Sequence, residues 1–367
     1  MASMSSLCRL LNIEHPIIQS GMGRVAGPEL TAGVSRAGAL GILAGLNLSP
    51  DDLRTQIRRV RELTDRPFGV NLWLHPELQP PVDPASVSPE AIAQATAALN
   101  EVRREIGLPE SASPPERRPD TIARNLDVVL EERVPVWSIG LGLPTRDMVA
   151  RCRERGVRIM VMVANVADAC EADASGADVI AAQGREAGGH RSTWRRDAPD
   201  AVGTFALVPE VVDAVRVPVV AAGGIADGRG VIAALALGAS GVLMGTRFVA
   251  TRESTAPEFW KQRILRASSD ATVVTTAFTG LAARVLRSKM TDAYASSGAP
   301  VLPGLLQSSL QQDIWGKALT AQDGEYYPLY AGQSVGIIHD VPPAADVVAA
   351  IVKEARDVRR SLERISL

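Results

Sequence analysis

Eight short apolar runs, separated by amphipathic segments, follow one another between residues 16 and 248, and they constrain the fold more than any other feature. The runs cover residues 16–19, 40–44, 68–74, 134–139, 157–163, 177–182, 217–221 and 241–244. Most of them end at Gly, Asn or Gln, as is typical of buried parallel strands that lead into turns. The segments between the runs have helical patterns. Leu53, Ile57 and Val60, for example, fall on one face of a helix.

This alternation predicts an α/β fold built on parallel strands. A doubly wound sheet would show a similar local pattern, but a count of eight strands favours a (β/α)8 TIM barrel. We expect the barrel to span residues 10–252, because this fold takes about 250 residues as one domain. Residues 75–133 are predicted to be a long insertion after the third strand, and residues 253–367 a helical C-terminal extension.

Both additions leave two interpretations open. The insertion follows the carboxyl end of a barrel strand, where loops build active sites, but it can equally be an excursion over the surface. The last helix of the extension carries one apolar stripe, formed by Val347, Ile351, Ala355, Val358 and Leu362. This stripe is expected to pack on the barrel or on a second subunit, which leaves a homo-oligomer open.

Charge and cysteine content limit the partners. The net charge is −2, and basic and acidic residues are interspersed, so neither nucleic acid nor a membrane surface is expected as a partner. The three cysteines show no C-x-x-C spacing, which disfavours a metal site and suits a reducing compartment. The chain shows neither a bilayer-spanning run nor a signal-peptide core. We therefore expect a cytoplasmic protein that binds a small molecule and no metal.

Two glycine turns follow the last two predicted strands. Gly223 and Gly224 come after the seventh strand, before a helix that starts near Asp227, and Gly245 and Thr246 come after the eighth. Glycine lets backbone N–H groups approach an anion closely, and the helix N-terminus adds a favourable dipole. A single Gly-Gly pair indicates only a tight turn. Two such turns here predict a phosphate site, because barrels commonly bind phosphate between the loops after strands seven and eight.

A histidine loop follows the sixth strand. Gln183 ends that strand with an amide that can both donate to and accept from a planar ring. Gly188 and Gly189 leave the backbone bare, and His190 then places an imidazole where it can act as a base or a donor near neutral pH. An isolated loop histidine is more often solvated or structural, so the prediction depends on this glycine context.

Two further strands end in residues that suit a ring-shaped ligand. Asn71 lies at the end of the third strand, where its carboxamide can orient a ring or a substrate. Met22 and Gly23 lie in the turn after the first strand, and a methionine there can line a flat apolar ring. A strand-ending Asn and a core-facing Met are the simpler interpretations of these positions, and they stay open.

Several common enzyme signatures are missing. The sequence has no H-E-x-x-H motif, no serine nucleophile elbow and no evident carboxylate pair, which disfavours hydrolase chemistry. The first strand is not followed by G-x-G-x-x-G, which disfavours a Rossmann dehydrogenase.

Three segments together resemble the nitronate monooxygenase family, formerly called 2-nitropropane dioxygenase. They are RPFGVNLWL at 66–74, GREAGGH at 184–190 and AAGGIADGRGVIAALALGASGVLMGTRF at 221–248. The similarity runs in order over residues 10–250 and continues into YAGQSVG at 330–336.

This resemblance implies an FMN-dependent barrel enzyme that oxidises alkyl nitronates with O2 to carbonyl compounds and nitrite. It implies that the phosphate of FMN lies at Gly223, Gly224, Gly245 and Thr246. It also implies that the rest of the flavin is held by Met22, Gly23, Asn71, Gln183, Gly188, Leu243 and Met244. His190 matches the family's active-site histidine, which orients the nitronate by hydrogen bonding and in some members removes the α-proton of a nitroalkane.

Two departures from the family pattern keep a rival activity open. Many relatives have a glycine within the two positions after the histidine. This chain instead has the sequence RSTW at 191–194, so we expect a reshaped loop with Trp194 closing one side of the pocket. The turn GMGRVAGPEL after the first strand resembles flavin-dependent enoyl-acyl-carrier-protein reductases, which share the AGGH and GGIADG signatures and use NAD(P)H. An NAD(P)H-dependent FMN reductase of that kind, or a quinone reductase, is the alternative. A non-catalytic flavin-binding protein is a weaker one. The insertion at 75–133 favours the monooxygenase, because those reductases generally lack it.

Overall fold

The computed structural model of this chain describes residues 5–195 and 202–365. Its strands, in chain order, are β1 (Ile17–Gln19), β2 (Gly41–Ala44), β3 (Phe68–Trp73), β4 (Val136–Gly140), β5 (Arg158–Val163), β6 (Val179–Gln183), β7 (Gly189–His190), β8 (Val219–Ala222), β9 (Gly241–Met244), β10 (Thr272–Thr275) and β11 (Ala283–Leu286). All eight predicted runs form strands, with ends that lie within two residues of the prediction.

These eight strands form one parallel sheet in the order β1-β9-β8-β6-β5-β4-β3-β2. Leu40 joins the two ends of this order, because its N–H donates to the Ile17 carbonyl (3.0 Å) and its carbonyl accepts from the Gln19 N–H (2.9 Å). The sheet therefore closes on itself. The predicted (β/α)8 TIM barrel is confirmed.

The helices are α1 (Ser6–Leu11), α2 (Pro28–Arg36), α3 (Pro50–Leu63), α4 (Pro89–Glu105), α5 (Ile122–Glu131), α6 (Arg146–Arg155), α7 (Val166–Ser175), α8 (Thr204–Ala214), α9 (Gly228–Ala236), α10 (Thr246–Val249), α11 (Glu258–Arg266), α12 (Lys289–Ser297), α13 (Leu306–Ser309), α14 (Gln312–Ala321) and α15 (Ala344–Leu362). Several barrel helices begin at side-chain caps. Ser49, Thr145 and Asn165 each accept a hydrogen bond from the backbone three residues later. None of the helices within the described residues is long and apolar enough to cross a membrane.

The barrel interior is filled by apolar side chains and closed at its amino end by α1. Leu7 and Leu11 pack in one cluster with strand residues such as Ile18 and Ile42, and all of them are buried. Leu7 also lies against Gly241, the first residue of β9. Burying one such leucine stabilises a fold by about 1.5–3 kcal/mol. With the amino end filled in this way, the carboxyl end is the open face.

The insertion is shorter than predicted. Helix α5 packs against β3 and neighbours α3 and α6, which is the place of a regular barrel helix. The segment added to the barrel therefore ends before Ile122 rather than at residue 133. It contains α4 and a 3-10 helix at Pro84–Ser86.

The C-terminal extension is not purely helical. Strands β10 and β11 pair in antiparallel fashion, and β11 pairs with the two-residue strand β7. Helix α15 packs on α9 and α2, so its stripe covers the barrel. Val347 and Ile351 are buried in that contact, whereas Leu362, at the far end of the stripe, is exposed.

Candidate active site

One cavity opens at the carboxyl ends of the barrel strands. It is lined by every residue that the sequence predicted for the site: Met22, Gly23, Asn71, Gln183, Gly188, His190, Gly223, Gly224, Leu243, Met244, Gly245 and Thr246. Their convergence follows from the topology, because all eight parallel strands direct their following loops to one face. What each of them binds stays a prediction.

The turn after β8 requires glycine for conformational reasons. Gly223 and Gly224 have φ values of 104° and 74°, in the left-handed region that side chains disfavour. A Cβ on Gly223 would also come within 2.9 Å of the backbone nitrogen of Ala187. The turn is thus a bare backbone surface held against the loop that follows β6.

The turn after β9 also exposes its backbone, but its conformation does not require glycine. Gly245 has φ −104°, which any residue can adopt, and a Cβ there would meet only the Met22 sulfur at an ordinary 3.5 Å. The fold therefore does not need glycine at this position. Thr246 is buried beside it, and its hydroxyl oxygen accepts a hydrogen bond from the Gly332 N–H at 2.9 Å. The hydroxyl proton stays free to donate to a ligand.

The N-terminus of α9 already interacts with carboxylates of the protein itself. Asp227 caps this helix by accepting from the Gly230 N–H at 3.0 Å. Glu354, from α15, accepts from the Gly228 N–H at 2.8 Å. Two carboxylates thus occupy the N-terminus that we expected to face a phosphate. Any anion at this end of the cavity is left to the two glycine turns and Thr246.

Asn71 faces the cavity from β3. Its side-chain amide nitrogen donates to the backbone carbonyl of Ser138 at 3.1 Å and to the Ser138 hydroxyl at 3.2 Å. The turn after β1 lies directly over it, since a Cβ on Gly21 would collide with the Asn71 side chain. Ser138 thereby fixes the carboxamide and leaves its oxygen as the acceptor for a ligand.

Gln183 holds the histidine loop in place. Its amide nitrogen donates to the His190 carbonyl at 2.9 Å, and its amide oxygen accepts from the Ser192 N–H at 2.8 Å. Most of its hydrogen-bonding capacity is therefore used inside the protein. The sequence suggested contact with a ring. The structure gives Gln183 an additional positioning role.

His190 lies at the centre of a small polar and aromatic group. Its Nε2 is 2.8 Å from the hydroxyl oxygen of Thr279. The Trp73 ring lies 4.7 Å away in an edge-on arrangement, and the Tyr330 ring lies 5.2 Å away. These contacts fix the imidazole plane from three directions.

The imidazole is neutral at physiological pH. Burial lowers the pKa of His190 from 6.5 to about 3, and electrostatic interactions with His75 and Arg191 act in the same direction. Burial also raises the pKa of Tyr330 above its ordinary value, so this phenol stays protonated. The Tyr330 hydroxyl has no hydrogen-bond partner within residues 5–195 and 202–365, and it lines the cavity as a free donor.

Thr279 and Tyr330 were not anticipated from the sequence. They reach the site because β11 pairs with β7, which places Ala283 opposite His190. Tyr330 was visible only as the first residue of the YAGQSVG match. Trp73 can be predicted from the sequence, because residues two apart in a strand point to the same face and Asn71 lies two positions before it.

Trp194 does not close the pocket as expected. It is partly buried against the hydrophobic core and does not line the cavity. Ser192, anchored by Gln183, also donates from its hydroxyl to the Met162 carbonyl at 3.2 Å, which ties the loop to the end of β5. The walls that we expected from Trp194 are supplied instead by Trp73, Trp260, Trp315 and Tyr330.

The cavity lining is strongly biased in charge. Among the described residues that line it, none is Asp or Glu, although the chain contains 41 acidic residues. Two arginines, Arg24 and Arg118, do line it. This lining favours anionic over cationic ligands.

Comparisons with known proteins find similar chains over nearly the whole length of this one. The family model described as Nitronate monooxygenase matches residues 4–354. A probable nitronate monooxygenase of Staphylococcus saprophyticus subsp. saprophyticus is 34% identical over 355 residues, which cover 95% of this chain and 97% of that protein.

Two solved structures are also similar over nearly the whole chain. A nitroalkane oxidase from Streptomyces ansochromogenes has a TM-score of 0.88 and 34% identity, covering 98% of this chain and 100% of that one. FabK from Thermotoga maritima has a TM-score of 0.76 and 34% identity, covering 99% of each chain. The two are equally similar in sequence, but the backbone follows the nitroalkane oxidase more closely.

Proposed function

The chain belongs to the nitronate monooxygenase family, and we propose that it is an FMN-dependent monooxygenase that oxidises alkyl nitronates with O2 to carbonyl compounds and nitrite. Membership of this family makes it an oxidoreductase. One observation carries the finer proposal: a neutral histidine, His190, lies in a cavity whose described lining contains no carboxylate. Such a cavity suits a small anionic substrate such as a nitronate.

The residues fit FMN. The Gly223–Gly224 turn and the Gly245–Thr246 turn would hold its phosphate, since they offer backbone donors and a hydroxyl. The Glu186 carboxylate lies beside Gly224 but already accepts hydrogen bonds from Thr204. Glycine at 245 supports this assignment. The fold itself does not require glycine there, whereas a ligand lying close to the backbone would require it. Met22, Gly23, Asn71, Gln183, Gly188, Leu243 and Met244 would surround the rest of the flavin. When bound, FMN supplies the electron acceptor for the substrate and the route to O2.

His190 acts as a neutral hydrogen-bonding group in this proposal. The Thr279 hydroxyl lies 3.3 Å from the Leu281 carbonyl and can donate to it. Thr279 then accepts from the Nε2–H of His190, and the other ring nitrogen keeps a lone pair. In the opposite tautomer, with Thr279 donating to Nε2, Nδ1–H would be the donor available to a nitronate oxygen. The direction of the Thr279 hydrogen bond therefore determines whether the other ring nitrogen is a donor or an acceptor.

The low pKa of His190 favours nitronates over neutral nitroalkanes. Removal of an α-proton needs a base whose pKa lies near the working pH, and a ring with a pKa of about 3 is a weak base at pH 7. A hydrogen bond to an already ionised nitronate needs no such basicity. The aromatic walls strengthen that bond by excluding water. We therefore expect kcat/KM at pH 7 to be at least about tenfold higher for a nitronate than for its parent nitroalkane.

A second candidate function is an NAD(P)H-dependent FMN reductase. The similarity to FabK at 34% identity favours it, together with the glycine motifs that the chain shares with acyl-carrier-protein reductases. The two candidates differ in the compound that delivers electrons to the flavin.

An anaerobic half-reaction distinguishes the two candidates. FMN-loaded protein is mixed without O2 with an alkyl nitronate, with NADH and with NADPH, and the flavin absorbance is followed. Bleaching by the nitronate, with slow or no bleaching by either nucleotide, is the outcome expected of the monooxygenase. Fast bleaching by one nucleotide, with none by nitronates, would assign the chain to the reductases instead.

A further inference from the structure

We propose that Arg191 is a positioning residue for the cofactor: its guanidinium holds the loop after β6 so that the Gly188 N–H faces the cavity as a hydrogen-bond donor to bound FMN. This inference rests on the proposed binding of FMN, and it adds a residue that acts on the cofactor only through another one. Arg191 lies outside the cavity lining, whereas the four residues before it, 187–190, all line the cavity.

The Arg191 side chain folds back over the loop that precedes it. One terminal nitrogen donates to the Gly184 carbonyl at 3.0 Å, and the other donates to the Ala187 carbonyl. We call these two hydrogen bonds the Arg191 clamp. The Ala187 N–H also donates to the Gly184 carbonyl at 3.1 Å, so the clamped residues form a tight turn. Because a guanidinium is a rigid planar fork, the clamp fixes the directions of both carbonyls.

The direction of the Ala187 carbonyl determines the direction of the next N–H. The carbonyl and the N–H of one trans peptide group point in opposite directions, so the Gly188 N–H points away from Arg191. Across the part of the chain that the structure describes, this N–H has no acceptor, and Gly188 lines the cavity. A Cβ on Gly188 would lie 2.4 Å from the Gly332 nitrogen, so the extension confines the loop from another side. The cavity wall therefore contains a backbone donor whose direction is already set.

Other contacts hold the histidine itself. Gln183 donates to the His190 carbonyl at 2.9 Å and accepts from the Ser192 N–H at 2.8 Å. These two hydrogen bonds fix the second half of the loop without using the Arg191 side chain. We therefore expect loss of the Arg191 guanidinium to disturb the donor at Gly188 and to leave His190 in place.

The charge of Arg191 is not used in an ion pair. Among the described residues, no carboxylate pairs with this guanidinium, and its Nε atom is buried without a hydrogen-bond partner. Burial, together with the nearby Arg284, lowers the pKa of Arg191 to about 10, so the side chain is still protonated at pH 7. A buried cation without a counterion costs stability. Its presence here is explained by the geometry that the clamp imposes on the loop.

The clamped turn also borders the proposed phosphate turn. A Cβ on Gly223 would lie 2.9 Å from the Ala187 nitrogen and 3.1 Å from the Gly184 carbonyl oxygen. The two turns are therefore in close backbone contact, and a shift of one disturbs the other. Both effects, at Gly188 and at Gly223, predict weaker binding of FMN when the Arg191 clamp is lost.

The test measures the affinity for FMN and the activity of the FMN-loaded enzyme separately. For Arg191→Met, we expect the Kd for FMN, measured by equilibrium dialysis, to rise by about tenfold, the value of one hydrogen bond. At saturating FMN, kcat should fall by less than about twofold, because Gln183 still holds His190. A residue that merely supports the whole loop would lower kcat as strongly as it weakens FMN binding, since its loss would also displace the histidine.

A second variant, Arg191→Lys, separates the fork from the charge and serves as the test if the methionine variant does not fold. Lysine keeps a cation at this position, but a single ammonium cannot hold both carbonyls in fixed directions. We therefore expect its Kd for FMN to rise nearly as much as that of the methionine variant. Arg185→Met is the matched control, because it removes an exposed arginine of the same loop that does not line the cavity. It should change neither Kd nor kcat.

Three results would overturn the proposal. They are an unchanged Kd in Arg191→Met, wild-type affinity in Arg191→Lys, and equal losses of FMN affinity and kcat. The affinity measurement does not depend on the reaction: the expected changes in Kd would support the role of Arg191 even if the protein oxidised no nitronate. A wild type that does not bind FMN would contradict both this inference and the proposed function.

Discussion

The Nε2 atom of His190 lies 2.8 Å from the hydroxyl oxygen of Thr279, a residue 89 positions further along the chain. The pairing of β11 with β7 brings the two segments together. The barrel thus supplies the histidine, and the C-terminal extension supplies the hydrogen-bond partner of its Nε2 atom.

Thr279→Val should remove the hydrogen bond to His190 while keeping the shape of the side chain. We expect kcat/KM for an alkyl nitronate to fall by about tenfold, the value of one neutral hydrogen bond. Thr279→Ser keeps the hydroxyl and should restore most of the activity. If the valine variant is as active as the serine variant, Thr279 does not position the imidazole.

His190→Asn should keep FMN but lose about 100-fold or more in kcat/KM, because it removes the group we expect to contact the substrate. Retention of FMN is expected because the proposed phosphate turns are formed by other loops. Absorbance and FMN release on denaturation measure retention, and O2 uptake measures rate. An unchanged kcat/KM would remove His190 from the mechanism.

The pH dependence should show no ionisation of His190 near neutrality. Because the pKa of this residue is lowered to about 3, kcat/KM for a nitronate is expected to be flat between about pH 6 and 8. A break near pH 6.5 that disappears in His190→Asn would show that the histidine titrates normally.

The lowered pKa of His190 also predicts how stability depends on pH. Between its ordinary pKa of 6.5 and its folded value of about 3, the unfolded chain binds a proton at His190 that the folded chain does not. The free energy of unfolding therefore falls as the pH falls through this interval. The Tm of FMN-loaded wild type should drop more between pH 7.5 and pH 5 than that of His190→Asn. Equal drops would contradict the lowered pKa.

Gly245→Ala separates cofactor binding from folding. The backbone at 245 accepts any residue, and the added methyl meets only the Met22 sulfur, so the Tm of the FMN-free protein should be unchanged. If the phosphate lies against this turn, the Kd for FMN should rise by about tenfold or more. Gly224→Ala is the contrast, because its left-handed backbone predicts a loss of stability as well. Unchanged FMN affinity in Gly245→Ala would place the phosphate elsewhere.

The sequence predicts the barrel and part of the site for a physical reason. The strands are continuous apolar runs because they are buried on both faces, and the residues that end them must share one edge of the barrel. Asn71, Gln183 and the two glycine turns could therefore be selected without coordinates. Thr279 could not, because β7 contains only two residues and has no periodicity that predicts its pairing with β11.

Long-range contacts also change the roles that the sequence predicts for residues that line the cavity. The α9 N-terminus looked free to bind phosphate, but Glu354 reaches it from α15, 126 positions away. Gln183 looked free to bind a ring, but its amide holds the loop after His190. Local patterns show which groups are available for hydrogen bonding, and only the fold shows which of them are already used.

The central claim, that this chain oxidises nitronates, is tested most directly by nitrite release. Purified FMN-loaded protein is supplied with an alkyl nitronate in air-saturated buffer without NADH or NADPH, and nitrite and O2 are measured together. We expect continuous turnover, with nitrite formed as the nitronate and O2 are consumed, and strong loss of both signals in His190→Asn. Absence of nitrite from the wild type, with O2 uptake only when NADH or NADPH is added, would contradict it.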